Sequence, residues 1–219
     1  MAKKRIIPLR EEKHIRTKLA LLNEIASGLK NQTFRDINIK EVCQRVLVSE
    51  PTFYNYYPRK RDVFIYFIRL WKIDLSWHLQ RLSKDLSFRE VVDAVFDFYA
   101  KLHNENPRLF NEMTTALLQE GQRDFIIELS FAEKYLAFPG RKGMVPLSST
   151  SFETDMIKWI NKAKEQGVLK ETIDSEMLLM NIMSICMSVW AQTESIVKKR
   201  PIKEYYTELF NILWEGVAK

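Results

Sequence analysis

Between Asn38 and Arg61 the chain sets Asn38, Lys40, Ser49, Thr52, Tyr54, Asn55 and Tyr56 ahead of the basic run Arg59-Lys60-Arg61. Hydroxyls and amides at helical spacing suit hydrogen bonding to base edges, and lysine and arginine suit gripping phosphates. Bond-making chemistry has no such nucleus. His14, His78 and His103 lie far apart without metal-ligand spacing, and no nucleophile motif or phosphate-cradling glycine loop occurs. No catalytic residue, metal site or cofactor is therefore expected.

Two short helices and a turn must present these groups. Asn38 with Glu41 three positions later forms a capping-box pattern, and Ile39, Val42 and Val46 supply a buried side. Leu47-Val48 makes the turn. Ser49 is a natural N-cap, Pro51 is tolerated in the first helical turn, and Pro58 stops the helix. Phe53 and Tyr57 read as core. Without the order of the whole segment, Tyr54 and Tyr56 would pass as packing and Arg59–Arg61 as a solvated face.

Charge agrees with this placement. The 219 residues carry a net +6, but residues 1–61 hold 14 Lys/Arg against 6 Asp/Glu and the remainder holds 20 against 22. A polyanionic partner is thus expected for the N-terminal end alone. With 46% hydrophobic and 28% charged residues the composition is that of a globular protein, and six glycines in long helically spaced stretches indicate an all-α chain. Cys43 and Cys186 give no disulfide framework. The N-terminus lacks a signal-peptide apolar core, so a cytoplasmic setting is expected. The uncharged stretch Met177–Thr193 contains Asn181, Ser184, Ser188 and Gln192, which suits a helix buried in protein better than a membrane span.

Apolar spacing sets out the remaining elements. Ile15, Leu19, Leu22, Ala26 and Leu29 mark a first amphipathic helix. A fourth helix runs from about Arg59 to Leu82, with Val63, Phe64, Phe67, Leu70, Trp71 and Leu75 inward. Helical segments follow at Phe88–Asn104, from Pro107 to about Gln119, and at Arg123–Phe138. Pro139–Ser151 has loop composition and is expected to be disordered. Thr154–Gln166 stops at Gly167. Asp174 or Ser175 caps a long helix to about Lys199, and Pro201 opens the last helix, ending near Val217.

Residues 15–64 resemble the DNA-binding domain of the TetR family of bacterial transcriptional regulators. The segment Val48-Ser49-Glu50-Pro51-Thr52-Phe53-Tyr54-Asn55-Tyr56-Tyr57-Pro58-Arg59-Lys60-Arg61-Asp62-Val63-Phe64 follows the family's ordered pattern. Phe34, Asn38 and Ile39-Lys40-Glu41-Val42 match its upstream spacing. Three positions depart from it. Leu47 stands at the turn where the family usually has Gly, so a positive backbone angle there would be strained. Thr33 replaces another frequent Gly, and Arg59 stands where a Ser, Thr or Asn usually caps helix four.

The resemblance implies an all-α fold of about nine helices. A helix-turn-helix domain over residues 1–62 precedes a larger ligand-binding and dimerisation domain over 63–219. It implies that Thr52, Asn55 and the edge of Tyr54 touch bases or nearby phosphates. Tyr56 and Lys60 would hold the backbone, Asn38 and Lys40 would approach phosphates from helix two, and Ser49 and Pro51 complete the DNA-binding set. Glu50 either accepts from a cytosine amino group or serves the helix N-terminus. The basic leading arm adds DNA contacts or stays solvated.

By the same resemblance the protein is a homodimer through its last two helices on a palindromic double-stranded operator. The resemblance further implies a repressor, and the apolar interior a small apolar or amphipathic effector that releases it. Candidate lining residues are Trp71, Phe96, Tyr99, Phe110, Met113, Leu117, Phe131, Trp159, Met180, Met183 and Met187, a Met- and aromatic-rich set that equally suits ordinary core. The long helix from Asp174 is apolar nearly all round and is expected to be buried on both sides. The alternative is a DNA-binding dimer with no small-molecule ligand, regulated by a protein partner.

Overall fold

The computed structural model describes residues 7–119, 127–191 and 200–219. Ten helices make up the fold among them: α1 (Leu9–Gly28), α2 (Ile39–Val46), α3 (Glu50–Tyr56), α4 (Asp62–Leu79), α5 (Phe88–Glu105), α6 (Pro107–Gln119), α7 (Phe131–Ala137), α8 (Ser151–Glu165), α9 (Ser175–Ala191) and α10 (Ile202–Val217). The chain is all-α. The one β pairing among the described residues is an isolated bridge between Leu169 and Ala218. The helices gather into two compact units. The first holds α1 to α3, α4 as far as Asp74, α6 and α7; the second holds α4 from Leu75, α5 and α8 to α10.

In the first unit α1 buries Ile15, Leu21, Leu22 and Ile25, with Leu29 just beyond it. Leu21 and Ile25 take the places expected for Leu19 and Ala26, because α2 and α7 both pack on α1 and widen its apolar stripe. Asn38 caps α2 by accepting the Lys40 N–H at 2.9 Å. The expected reciprocal bond from Glu41 gives way to an i,i+4 ion pair of Glu41 with Arg45 at 3.7 Å. Cys43, not Val46, completes the buried side with Ile39 and Val42.

Asn106 joins α6 to α1. It is 4% exposed, accepts the Leu109 N–H at 3.1 Å and donates to the Ala26 carbonyl at 2.7 Å. A capping box at Ser130 and Glu133 starts α7, and Glu133 also pairs with Lys18 at 3.0 Å. The expected helix from Arg123 thus begins at Phe131; residues 123–126 lie outside those described.

The loop after α7 is held in place, contrary to the disorder expected of its composition. Met144, Leu147 and Ser149 are buried, and the buried Lys134 donates to the carbonyls of Val145 and Leu147. Glu128 accepts both the backbone N–H and the hydroxyl of Ser149 at 2.7 Å.

In the second unit Gly167 ends α8 with φ +69°, as its C-cap position requires. The Asp174 carboxylate accepts the Met177 N–H at 2.8 Å and starts α9. Within the single chain that helix is buried on one side. Leu178, Leu179, Ile182, Cys186 and Val189 face inward, whereas Met177, Met180, Asn181, Ser184 and Ser188 are exposed. Positions 192–199 of the expected long helix lie outside the described residues. Among those described, no helix is long and apolar enough to cross a membrane.

Candidate nucleic-acid interface

A seven-residue helix has little stability alone, so α3 depends on its caps and on what it buries. Ser49 Oγ accepts the Thr52 N–H at 3.3 Å, and the two hydroxyls lie 2.9 Å apart. Pro51 occupies the first turn, where its missing N–H costs nothing. Phe53 is fully buried and Tyr57 is 1% exposed. Burial of each such side chain contributes about 1.5–3 kcal/mol. Tyr57 also donates its hydroxyl to the Lys18 carbonyl at 2.9 Å, which ties the end of α3 to α1. The opposite side of the helix carries the polar groups. Glu50, Pro51, Tyr54 and Asn55 are exposed, Thr52 and Tyr56 are half-buried, and Asn38, Lys40 and Ser49 are exposed beside them.

The basic run behaves differently. Arg59 donates its backbone N–H and Nε to the Asp62 carboxylate, both at 2.8 Å, so Asp62 supplies the start of α4 that Arg59 cannot cap. Arg61 donates to Gln119 Oε1 at 2.7 Å. Lys60 donates to the Phe34 carbonyl at 2.5 Å and lies over the Phe34 ring. Burial lowers its pKa, with the charges of Glu112 and Asp36 acting against that shift. Lys60 is therefore turned onto the α1–α2 connection rather than presented beside Tyr54 and Asn55. Sequence reasoning also missed the His14 ring packed 4.5 Å from Tyr56, since nothing in the spacing links position 14 to 56.

The candidate pocket residues are not gathered into one described lining. Trp71, Phe110, Met113, Leu117 and Phe131 fall in the first unit; Phe96, Tyr99, Trp159, Met180, Met183 and Met187 fall in the second. Phe96, Tyr99, Phe110 and Met113 are packed core, Trp71 is buried, Leu117, Phe131, Trp159, Met183 and Met187 are half-buried, and Met180 is 59% exposed. Tyr99 and Met183 do meet, hydroxyl to sulfur, at 3.8 Å.

Two clefts open instead in the second unit. One, of about 340 Å³, is lined by Leu75, Leu79, Leu82, Val95 and Phe98 together with His78, Ala94, Asp97 and Lys101. Its neighbour, of about 520 Å³, shares Leu79 and Leu82 and adds Trp159, Gln80, Asp155 and the lysines 84, 158 and 162. Among the described residues no group of three or more His, Cys, Asp or Glu is placed to hold a metal ion.

No family model and no curated protein matches the sequence. Solved structures do match in fold. FadR from Thermus thermophilus, a TetR family transcriptional repressor in complex with lauroyl-CoA, aligns with TM-score 0.65 and 19% identity over 91% of this chain and 94% of its own. The transcriptional regulator FadR from Bacillus subtilis, in complex with stearoyl-CoA, aligns with TM-score 0.60 and 10% identity over 90% and 98%. A TetR family transcription regulator from Marinobacter aquaeolei aligns with TM-score 0.55 and 16% identity over 96% and 100%. The chain therefore has the fold of the TetR-family regulators, an N-terminal helix-turn-helix followed by further helices.

Proposed function

We propose that the protein is a sequence-specific DNA-binding transcriptional regulator with α3 as its recognition helix. The observation that carries this reading is the two-sidedness of α3. Phe53 and Tyr57 lock one side into the fold, while Thr52, Tyr54 and Asn55 stay accessible on the other. Residues 1–62 then form the DNA-binding domain and 63–219 the regulatory one. Thr52, Asn55 and Tyr54 read bases. Glu50 sits at the N-terminus of α3, Tyr56 holds the backbone, and Lys40 and Asn38 approach phosphates. The Asn38 side-chain oxygen accepts the Lys40 N–H as the cap of α2, and the phosphate contact is made by its amide NH2, the end that can donate.

The protein acts as a homodimer through α9 and α10. These helices pack together and leave uncharged groups exposed, Met177, Met180 and Ser184 on α9 and Leu209 and Ile212 on α10. A two-fold dimer addresses a palindromic operator with half-sites about 34–36 Å apart. The effector is amphipathic. An apolar tail suits the 340 Å³ cleft and an anionic head suits the lysines of its neighbour, and two structures of the same fold carry acyl-CoA. Both clefts include the end of α4, the helix that also runs into the first unit, so effector binding that favours one position of α4 shifts the protein off its operator. The close packing of Phe96, Tyr99, Phe110 and Met113 favours the second reading, a dimer with no small-molecule ligand and a protein partner as its regulator.

Selection of bound fragments from a random DNA pool tests the proposal. A two-fold symmetric consensus supports it, and indifference to sequence at all salt concentrations refutes it. Titration of the operator complex with lauroyl-CoA then separates the two modes of regulation, since only the first predicts release.

A further inference from the structure

Leu47 adopts φ 61° and ψ 43°, and it is the one non-glycine residue with positive φ among those described. The hydrogen bonds around it explain why the backbone turns this way. Val48 N–H donates to the Cys43 carbonyl at 2.9 Å and Leu47 N–H to the Gln44 carbonyl at 3.2 Å, the paired bonds of a Schellman helix end. The same pair closes α8, where Val168 N–H reaches Ala163 and Gly167 N–H reaches Lys164, both at 2.9 Å, and there the left-handed position is held by glycine. At α2 an L-residue bears the crowding of Cβ against the following carbonyl. The fold gives Leu47 nothing in return, because its side chain is 90% exposed. One residue, Val48, separates it from Ser49, the cap of α3, so its Cα lies within about 7 Å of that of Ser49.

We propose that Leu47 is an apolar reading residue, packing against the 5-methyl group of a thymine in each half-site when α3 enters the major groove. The inference rests on the DNA-binding reading above. Its chemistry is complementary to the rest of the surface. Thr52, Asn55, Ser49 and Glu50 offer hydroxyls, an amide and a carboxylate, which address donors and acceptors. The thymine methyl is the apolar feature of the major-groove edge and needs an apolar partner. The N-terminal end of a recognition helix is the part that approaches base edges, and Leu47 stands beside that end.

The test uses the full chain with Leu47→Gly and Leu47→Asn, two residues that accept the left-handed conformation. The probes are the duplex selected by the unaltered protein and copies in which symmetric thymine pairs are replaced by uracil, one pair at a time. One uracil pair is expected to weaken the unaltered protein by about fourfold per half-site, the size of one methyl group's removal from water. Both variants are expected to bind the thymine duplex with that weakened affinity, to lose nothing further on uracil, and to melt no lower than the unaltered protein. Equal affinity of variants and parent for the thymine duplex overturns the inference. So does a uracil penalty shared by all three proteins, or a lower melting midpoint in both variants, which would give Leu47 a duty in the fold. Failure of the unaltered protein to select any duplex refutes the DNA-binding reading itself, and this inference with it.

Discussion

Asn55→Ala isolates recognition from folding. Asn55 is exposed one residue before the end of α3, on the side away from Phe53 and Tyr57. Alanine is the better helix former by about half a kcal/mol, and an exposed substitution of this kind shifts stability by no more than about 0.5 kcal/mol either way. An amide held bidentate to adenine contributes about 1–3 kcal/mol of discrimination. Removing it should therefore weaken each half-site of the selected operator roughly 5- to 150-fold. The measurement is fluorescence anisotropy on operator and random duplexes over a range of salt. Affinity for random DNA and the slope of log K against log salt should stay unchanged, because Asn55 carries no charge to release counterions. An equal loss on both duplexes, or a melting midpoint several degrees lower, would refute the assignment of Asn55 to base reading.

Lys40→Ala should weaken operator and random DNA alike and reduce the salt slope by about 1, read by the same titrations. Asn106→Ala removes the cap of α6 and strands the Ala26 carbonyl, so urea denaturation should show a loss of about 2–4 kcal/mol with an unchanged m-value. Burial alone would raise the Glu133 carboxyl, but the Ser130 N–H, the Lys18 ammonium and the Ser130 hydroxyl outweigh it and hold the pKa below the usual glutamate range. The folded state then binds fewer protons than the unfolded one, so this stabilisation is full above that range and lost as pH falls through the folded value. Glu133→Gln should accordingly be less stable than the parent at pH 7, by a margin that shrinks below about pH 4 in denaturation series. Burial raises both thiols, with the charge of Glu50 adding at Cys43, so a thiol reagent at pH 8 should leave both cysteines unmodified until urea is added.

Local signals carried most of the helix-turn-helix. Asn38 and Ser49 each accept a backbone N–H two or three residues ahead, and a cap is legible because it requires only a polar side chain at the right offset. Phe53 and Tyr57 were legible as core by their i,i+4 spacing. Lys60 was not, because its partner is a carbonyl 26 residues away whose approach depends on tertiary packing. The packed loop after α7 failed for the same reason. Pro139, Gly140 and Gly143 announce irregular backbone, but irregular is not mobile, and only the buried Lys134 and the remote Glu128 reveal what holds it.

The proposed effector site was the least legible part, and the cause lies in the chemistry of apolar side chains. A residue proposed to read DNA is polar on a helix whose core needs are already met, so Thr52 and Asn55 stand out against Phe53. A residue that lines an apolar pocket has the composition and spacing of one that fills a core, so Phe96 in the packed interior and Phe98 beside a cleft look alike in sequence. What separates them is whether a neighbouring helix closes over the ring, a property of packing rather than of pattern. The lysines 84, 158 and 162 supply a signal by their excess, three cations in one cleft with a single carboxylate, Asp155, which pairs with Lys158 at 2.8 Å. That signal appears only once the end of α4 is placed beside α8, which the 520 Å³ cleft does by joining Leu79 and Leu82 to Trp159. If the effector is amphipathic, its head group should therefore be sought by charge reversal at Lys158 or Lys162, and its tail by filling the apolar cleft at Ala94, rather than at the packed Phe96, Tyr99, Phe110 or Met113.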